Sequence, residues 1–141
     1  MRSIELAAII LAATVSGCHG RFDPRCDEER YYCLDEQAKV SYLKTVSDMH
    51  LISIAKIEFS TSKPPTGFYV FREMQRRGPE KSKAIMYLYA SGDSNKYLLD
   101  GMTRVLTHSK NACNEWVDDA PFRARESLKT SCNRVYGSEN T

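Results

Sequence analysis

Two runs, Phe68-Tyr69-Val70-Phe71 and Ile85-Met86-Tyr87-Leu88-Tyr89, decide the fold of this chain. Both are rich in residues that favour strands. Paired as an antiparallel hairpin, they would put a small sheet at the centre of an α+β domain. The loop of that hairpin would run from Gln75 to Lys83, about nine residues, where two to five are usual. The punctuation fits helices better. Thr66 can cap a helix that stops before Gly78, Pro79-Glu80 can open the next, and Gly92 can close it. Gly78 and Gly92 suit the left-handed positions that end helices. Asp93 or Ser94 then caps a third helix. The stretch predicts helices, with the central hairpin as the alternative.

Downstream, Tyr97, Leu98, Met102, Val105 and Leu106 recur at steps of three and four, an amphipathic helix reaching about Ser109. A further helical stretch covers Asn111 to Val117, and Asp119-Ala120-Pro121 opens a last helix running to about Tyr136. Upstream, Asp23-Pro24 has the chemistry of a helix start. Leu34, Ala38, Val40, Leu43 and Val46 then keep helical spacing, so a first helix is expected from Pro24 to about Val46. Asp27, Glu28 and Glu29 fall in its early turns as a solvated, dipole-matched face. Ser47-Asp48 caps a second helix, from Met49 to about Ser60. The run from Lys63 to Leu106 resembles helical-repeat segments of the HEAT type: two prolines, an aromatic helix, Arg77-Gly78-Pro79-Glu80, a second helix and an acidic break. That resemblance implies helix pairs that bury one face against their neighbours and offer the rest for binding. The expected fold is all-α, a short array of HEAT-like helix pairs.

The N-terminus carries a different signal. An apolar run from Leu6 to Val15 follows Arg2 and ends in Val15-Ser16-Gly17-Cys18. It falls short of the roughly 20 apolar residues that span a bilayer. Its order of charge, apolar middle and small residues is that of a secretory signal, and it resembles the signal peptide and lipobox of bacterial lipoproteins. The resemblance implies that residues 1–17 are removed and that Cys18 is acylated and holds the chain to the lipid bilayer. Residues 18–22 would be a short tether, 23–137 one periplasmic domain, and 138–141 a frayed tail. Fully extended, the step from Cys18 to Asp23 covers about 17 Å, so the domain would stand close to the membrane. His19 is not the Asp that resembles an inner-membrane retention signal, which points to the periplasmic side of the outer membrane.

With Cys18 acylated, Cys26, Cys33, Cys113 and Cys132 remain. An even set in an exported chain suggests two disulfides. Gaps of six and 18 residues are wrong for the close cysteine pairs of a structural zinc site. On a continuous first helix Cys26 and Cys33 would lie about 10 Å apart, too far to pair. A turn near Asp119 would leave Cys113 and Cys132 about 10 Å apart in height. The expectation is two rungs joining the first helix to the C-terminal hairpin, each closing a loop of 80 to 106 residues.

No catalytic constellation stands out. His50 near a helix start is more simply a half-buried side chain than a base. His108-Ser109 lacks a third group and any nucleophile motif. Asp118-Asp119 reads as a helix cap, and Trp116 as packing over a disulfide. No metal site, phosphate loop or dinucleotide fingerprint is present, and no cofactor is expected. The net charge of +2 does not suggest a nucleic-acid binder. The basic cluster Arg72, Arg76 and Arg77, with Lys81 and Lys83, coincides with Tyr69, Tyr87, Tyr89 and Tyr97. Interfaces favour Tyr and Arg, so Arg72, Arg76, Arg77, Tyr69, Tyr87 and Tyr89 are the expected partner-binding residues. The leading reading is a membrane-anchored periplasmic lipoprotein that binds a protein partner, as an immunity protein or an inhibitor would. A structural lipoprotein of an envelope complex and an envelope enzyme are the alternatives.

Overall fold

The computed structural model describes residues 23–61 and 68–137; Cys18, Thr66 and the tail from 138 lie outside them. Two short 3-10 turns, Pro24–Asp27 and Arg30–Cys33, precede seven α-helices. These are α1 (Glu36–Leu43), α2 (Asp48–Ser60), α3 (Tyr69–Arg76), α4 (Pro79–Ala90), α5 (Lys96–Thr107), α6 (Lys110–Asp119) and α7 (Phe122–Tyr136). The fold is all-α and carries two disulfides; no strand occurs among the described residues, and the α+β alternative falls away.

The two aromatic runs become α3 and α4 because each resolves into one buried face. On α3, Val70, Phe71, Glu73 and Met74 are buried while Arg72, Gln75 and Arg76 are exposed. On α4 the buried set is Ser82, Ile85, Met86, Tyr89 and Ala90, again a helical period. Gly78 separates them at φ +97°, a backbone that an L side chain rarely adopts, and Pro79 opens α4. Ser82 Oγ donates back to the Met74 carbonyl at 2.8 Å, satisfying one acceptor freed where α3 ends. Gly92 is different: it has no positive φ, and Ser91 closes α4. The cap of α5 is Asn95 rather than Asp93 or Ser94, accepting from the amides of Tyr97 and Leu98 at 2.8 and 3.2 Å. Ser47 caps α2 as expected, accepting from the His50 amide at 3.1 Å.

The expected first helix is broken. Leu34 is extended, and Asp35 caps a short α1 by accepting from the Ala38 amide at 2.9 Å. Upstream the chain coils through the two 3-10 turns and folds back on itself. That fold brings Cys26 and Cys33 to a Cα separation of 4.9 Å, and they pair with each other. The rungs to the C-terminus are therefore corrected. Cys113 pairs with Cys132 across the α6–α7 hairpin, at a Cα separation of 5.9 Å. The hairpin turns at Ala120-Pro121, seven residues after Cys113 and eleven before Cys132. A mismatch of four residues is about 6 Å of rise, which a disulfide spans.

Helix α5 is the hub, packing on α2, α3, α4, α6 and α7. It buries Leu98, Leu99, Met102 and Leu106, and its Thr103 bonds Ser131 of α7 at 2.8 Å inside the core. Helix α7 adds Leu128 and Cys132 from the other side. Helices α1 and α3 pack together at the rim of this assembly, which leaves the outer face of α3 open.

Candidate partner-binding site

The six residues expected to form one surface divide by role. Arg77, at 11% side-chain exposure, is an internal tie. Its guanidinium donates to Glu73 at 2.8 Å, to Asp48 at 2.7 Å, and to the Leu43 and Val46 carbonyls at 2.7 and 2.8 Å. It locks the α1–α2 turn onto the end of α3. Tyr89 is also structural: its hydroxyl accepts from the Asn95 amide at 2.7 Å and holds the start of α5. Tyr87 is half-buried and donates to the Trp116 carbonyl on α6 at 2.6 Å. Burial, helped by the charges of Asp119 and Glu80, pushes its phenol up to about 12. Trp116 itself packs half-buried against the core.

Tyr69, Arg72 and Arg76 remain together on the open side of α3. Arg76, 53% exposed, forks onto Glu73 with two 2.8 Å bonds. Burial pushes the Glu73 carboxyl up, but the hydrogen bonds from Arg76 and Arg77 outweigh it and hold it below the usual carboxylate range. Arg72 is exposed and lies 5.9 Å over the Tyr69 ring, a loose cation–π contact. Partial desolvation and a hydrogen bond with Glu36 of α1 raise the Tyr69 phenol.

Two depressions flank this face. One, of about 160 Å³, lies between α1 and α3, bordered by Val40, Lys44, Tyr69, Arg72 and Arg76. The other, of about 460 Å³, lies between α3 and α5, bordered by Phe68, Phe71, Arg72, Gly101, Arg104 and Val105. Arg72 borders both. The contribution of Val40 and Lys44, and of Phe68, Gly101, Arg104 and Val105, escaped the sequence reading. The one signal for the second group is the spacing of Gly101, Arg104 and Val105, which shares a helical face. The i, i+3, i+4 rule says nothing of which neighbour that face meets.

The remaining candidates are placed as follows. His50 Nε2 lies 2.8 Å from Glu29 Oε2, and Glu29 also accepts from the Tyr42 hydroxyl at 3.3 Å. Glu29 thus leaves the solvated acidic face expected for it, and Asp27 and Glu28 remain exposed. His108 is exposed at φ +64°, ending α5, and the Ser109 hydroxyl accepts from the Ala112 amide at 3.1 Å to cap α6. Asp119 closes α6, and Pro121 precedes α7 without a side-chain cap. Lys81 reaches Asp48 at 3.3 Å and Lys83 reaches Asp119 at 3.6 Å. Among the described residues no group of three or more His, Cys, Asp or Glu could hold a metal ion, and no helix is long and apolar enough to cross a membrane.

No family model matches the chain, and neither the curated proteins nor the solved structures contain a match to it.

Proposed function

We propose that this chain is a lipoprotein, held to the membrane through Cys18, whose helical domain binds a protein partner in the bacterial periplasm. The observation that carries the reading is the open face of α3. There Tyr69, Arg72 and Arg76 stand between two depressions on helices that are otherwise packed. Tyr offers large contact area at low entropic cost, and Arg offers directional bonds. The two disulfides support an oxidising compartment, which agrees with the signal and lipobox resemblance of residues 1–18. A compact polar and aromatic face suits an immunity protein or an inhibitor better than a permanent structural subunit, whose interface would be broad and apolar.

Two measurements test the reading. Mass spectrometry of the membrane fraction should find a mature chain that starts at acylated Cys18; an unmodified chain starting elsewhere removes the anchor from the proposal. Cross-linking in intact envelopes should capture a specific partner through Tyr69. Arg72→Ala with Arg76→Ala should weaken that complex about 30-fold, the equivalent of roughly 2 kcal/mol. Unchanged affinity in the double variant and in Tyr69→Ala would move the site elsewhere.

A further inference from the structure

The groove between α3 and α5 has a chemistry of its own. Its floor is apolar: Phe71 is 4% exposed, and Val105 is half-buried beside it. Gly101 keeps it open. A Cβ there would stand 3.2 Å from the Phe71 ring, so glycine is what lets α5 lie this close to that ring. The Gln75 amide donates to the Val105 carbonyl at 3.1 Å and ties α3 to α5 along the groove. Phe68 stands at one end. It is 51% exposed, has φ +57°, and stacks on Phe71 with centroids 5.9 Å apart. Phe71 stacks in turn on Phe59 at 5.7 Å. The result is a row of three rings whose last member faces solvent.

The rim is cationic. Arg72 and Arg104 are both exposed and both border the groove, and no carboxylate borders it among the described residues. The carboxylates on the two helices are engaged elsewhere: Glu73 of α3 by Arg76 and Arg77, and Asp100 of α5, which also feels the Arg104 charge, by Arg134 and Ser131 at 2.7 to 2.8 Å. An apolar trough with an arginine on its edge and a second across it complements a ligand that carries an apolar group flanked by anionic ones. Guanidinium forks match carboxylates in geometry as well as charge. Arg72 borders both this groove and the depression beside Tyr69 and Arg76, so an occupant that uses both needs the length of a protein segment rather than of a free lipid chain.

We infer that the α3–α5 groove is the specificity pocket of the partner site, and that it receives an acidic segment of the partner carrying a large apolar residue. This deepens the partner-binding reading and rests on it. The apolar side chain lies against Phe68, Phe71 and Val105, and the flanking carboxylates meet Arg72 and Arg104.

The test presents the full chain, in nanodiscs, to a phage-displayed library of random peptides. Enriched peptides should carry Asp or Glu beside Phe, Leu or Trp. They should lose at least tenfold in affinity towards Phe68→Ser, whose side chain is half in solvent and whose loss leaves the core intact. Arg72→Glu with Arg104→Glu should select basic peptides in place of acidic ones. Circular dichroism and melting temperature verify that each variant is folded. Enrichment without acidic bias, or peptides that bind the variants unchanged, overturns the inference. So does competition by anionic phospholipid vesicles at the same site, which would make the groove a lipid site. Phe68 and Arg104 border only this groove, and Arg76 and Lys44 only the other depression. A captured partner that ignores Phe68→Ser and Arg104→Glu but responds to Arg76→Ala sinks the groove and leaves the partner reading standing.

Discussion

Charge alone groups Arg77 with Arg72 and Arg76, yet its position makes it a structural residue. Its acceptors outside α3 lie 29, 31 and 34 residues away in sequence, and no local pattern announces them. Arg76, one residue earlier, turns its side chain half into water. The two should separate cleanly on mutation. Arg77→Ala leaves the Leu43 and Val46 carbonyls without this donor, Asp48 without its guanidinium partner, and Glu73 with two of its three arginine hydrogen bonds. It should cost about 3 kcal/mol, a fall in Tm of about 10 °C or more. Arg77→Lys should recover only part of this, because one ammonium cannot reproduce a planar fork. Arg76→Ala should cost less than Arg77→Ala, because it leaves no backbone carbonyl without a donor, although it removes two of the three hydrogen bonds on Glu73. Thermal melts of the three variants check the ordering, and equal losses at 76 and 77 would refute the division of roles.

At the scale of elements, local rules were readable and tertiary ones were not. Ser47 before α2 and Gly78-Pro79 between α3 and α4 act on their own backbones, so sequence sufficed. The break at Leu34-Asp35 was hidden because the apolar spacing runs straight across it. A continuous helix would hold Cys26 and Cys33 about 10 Å apart; the break removes that constraint and lets them pair. The proposed partner face is half legible: Tyr69, Arg72 and Arg76 by composition, Phe68 and Arg104 not at all. The cross-links also differ in exposure. Cys113 and Cys132 are 0% and 2% exposed, whereas Cys33 lies open to solvent. A mild reductant should open Cys26–Cys33 first, as read by thiol labelling of the native protein. On chain-entropy grounds, removing the Cys26–Cys33 bridge by paired serines should cost about 2 kcal/mol and removing Cys113–Cys132 about 3. Gly101 sets the spacing of α3 and α5. Alanine there gains about 1 kcal/mol of helix propensity but drives a methyl into a ring that also stacks on Phe59 and Phe68. Overpacking costs about 1–3 kcal/mol, so Gly101→Ala should lower stability by about 1. A higher Tm would mean that the ring yields.

For the whole molecule, acid is the condition to vary. Two carboxyls, Glu73 on α3 and Asp100 on α5, sit below their usual range. Burial raises each, and the bonds from Arg76 and Arg77 to Glu73, and from Arg134 and Ser131 to Asp100, outweigh it. A lowered folded-state pKa gives stability that is present above the unfolded value, about 4, and lost as pH falls through the folded one. Stability should therefore hold from pH 7 to about 5 and decline below about 4. Denaturant melts at each pH measure it. Glu73→Gln should flatten the acid limb, and an unchanged limb would place the sensitivity in other groups.

The pairing of each described cysteine with its nearest neighbour in sequence, Cys26 with Cys33 and Cys113 with Cys132, has a consequence for biogenesis. A chain crossing a membrane N-terminus first delivers Cys26 and Cys33 to the far side together, well before Cys113 and Cys132. An enzyme that oxidises thiols in order of arrival writes the native pattern at the first attempt. Acylation of Cys18 would withdraw the one earlier thiol that could intercept Cys26. On the proposed export route the chain should therefore demand an oxidant but no reshuffling catalyst. Cells lacking their disulfide isomerase should accumulate the same oxidised form, seen as an unchanged non-reducing gel mobility, while cells lacking the oxidase should not.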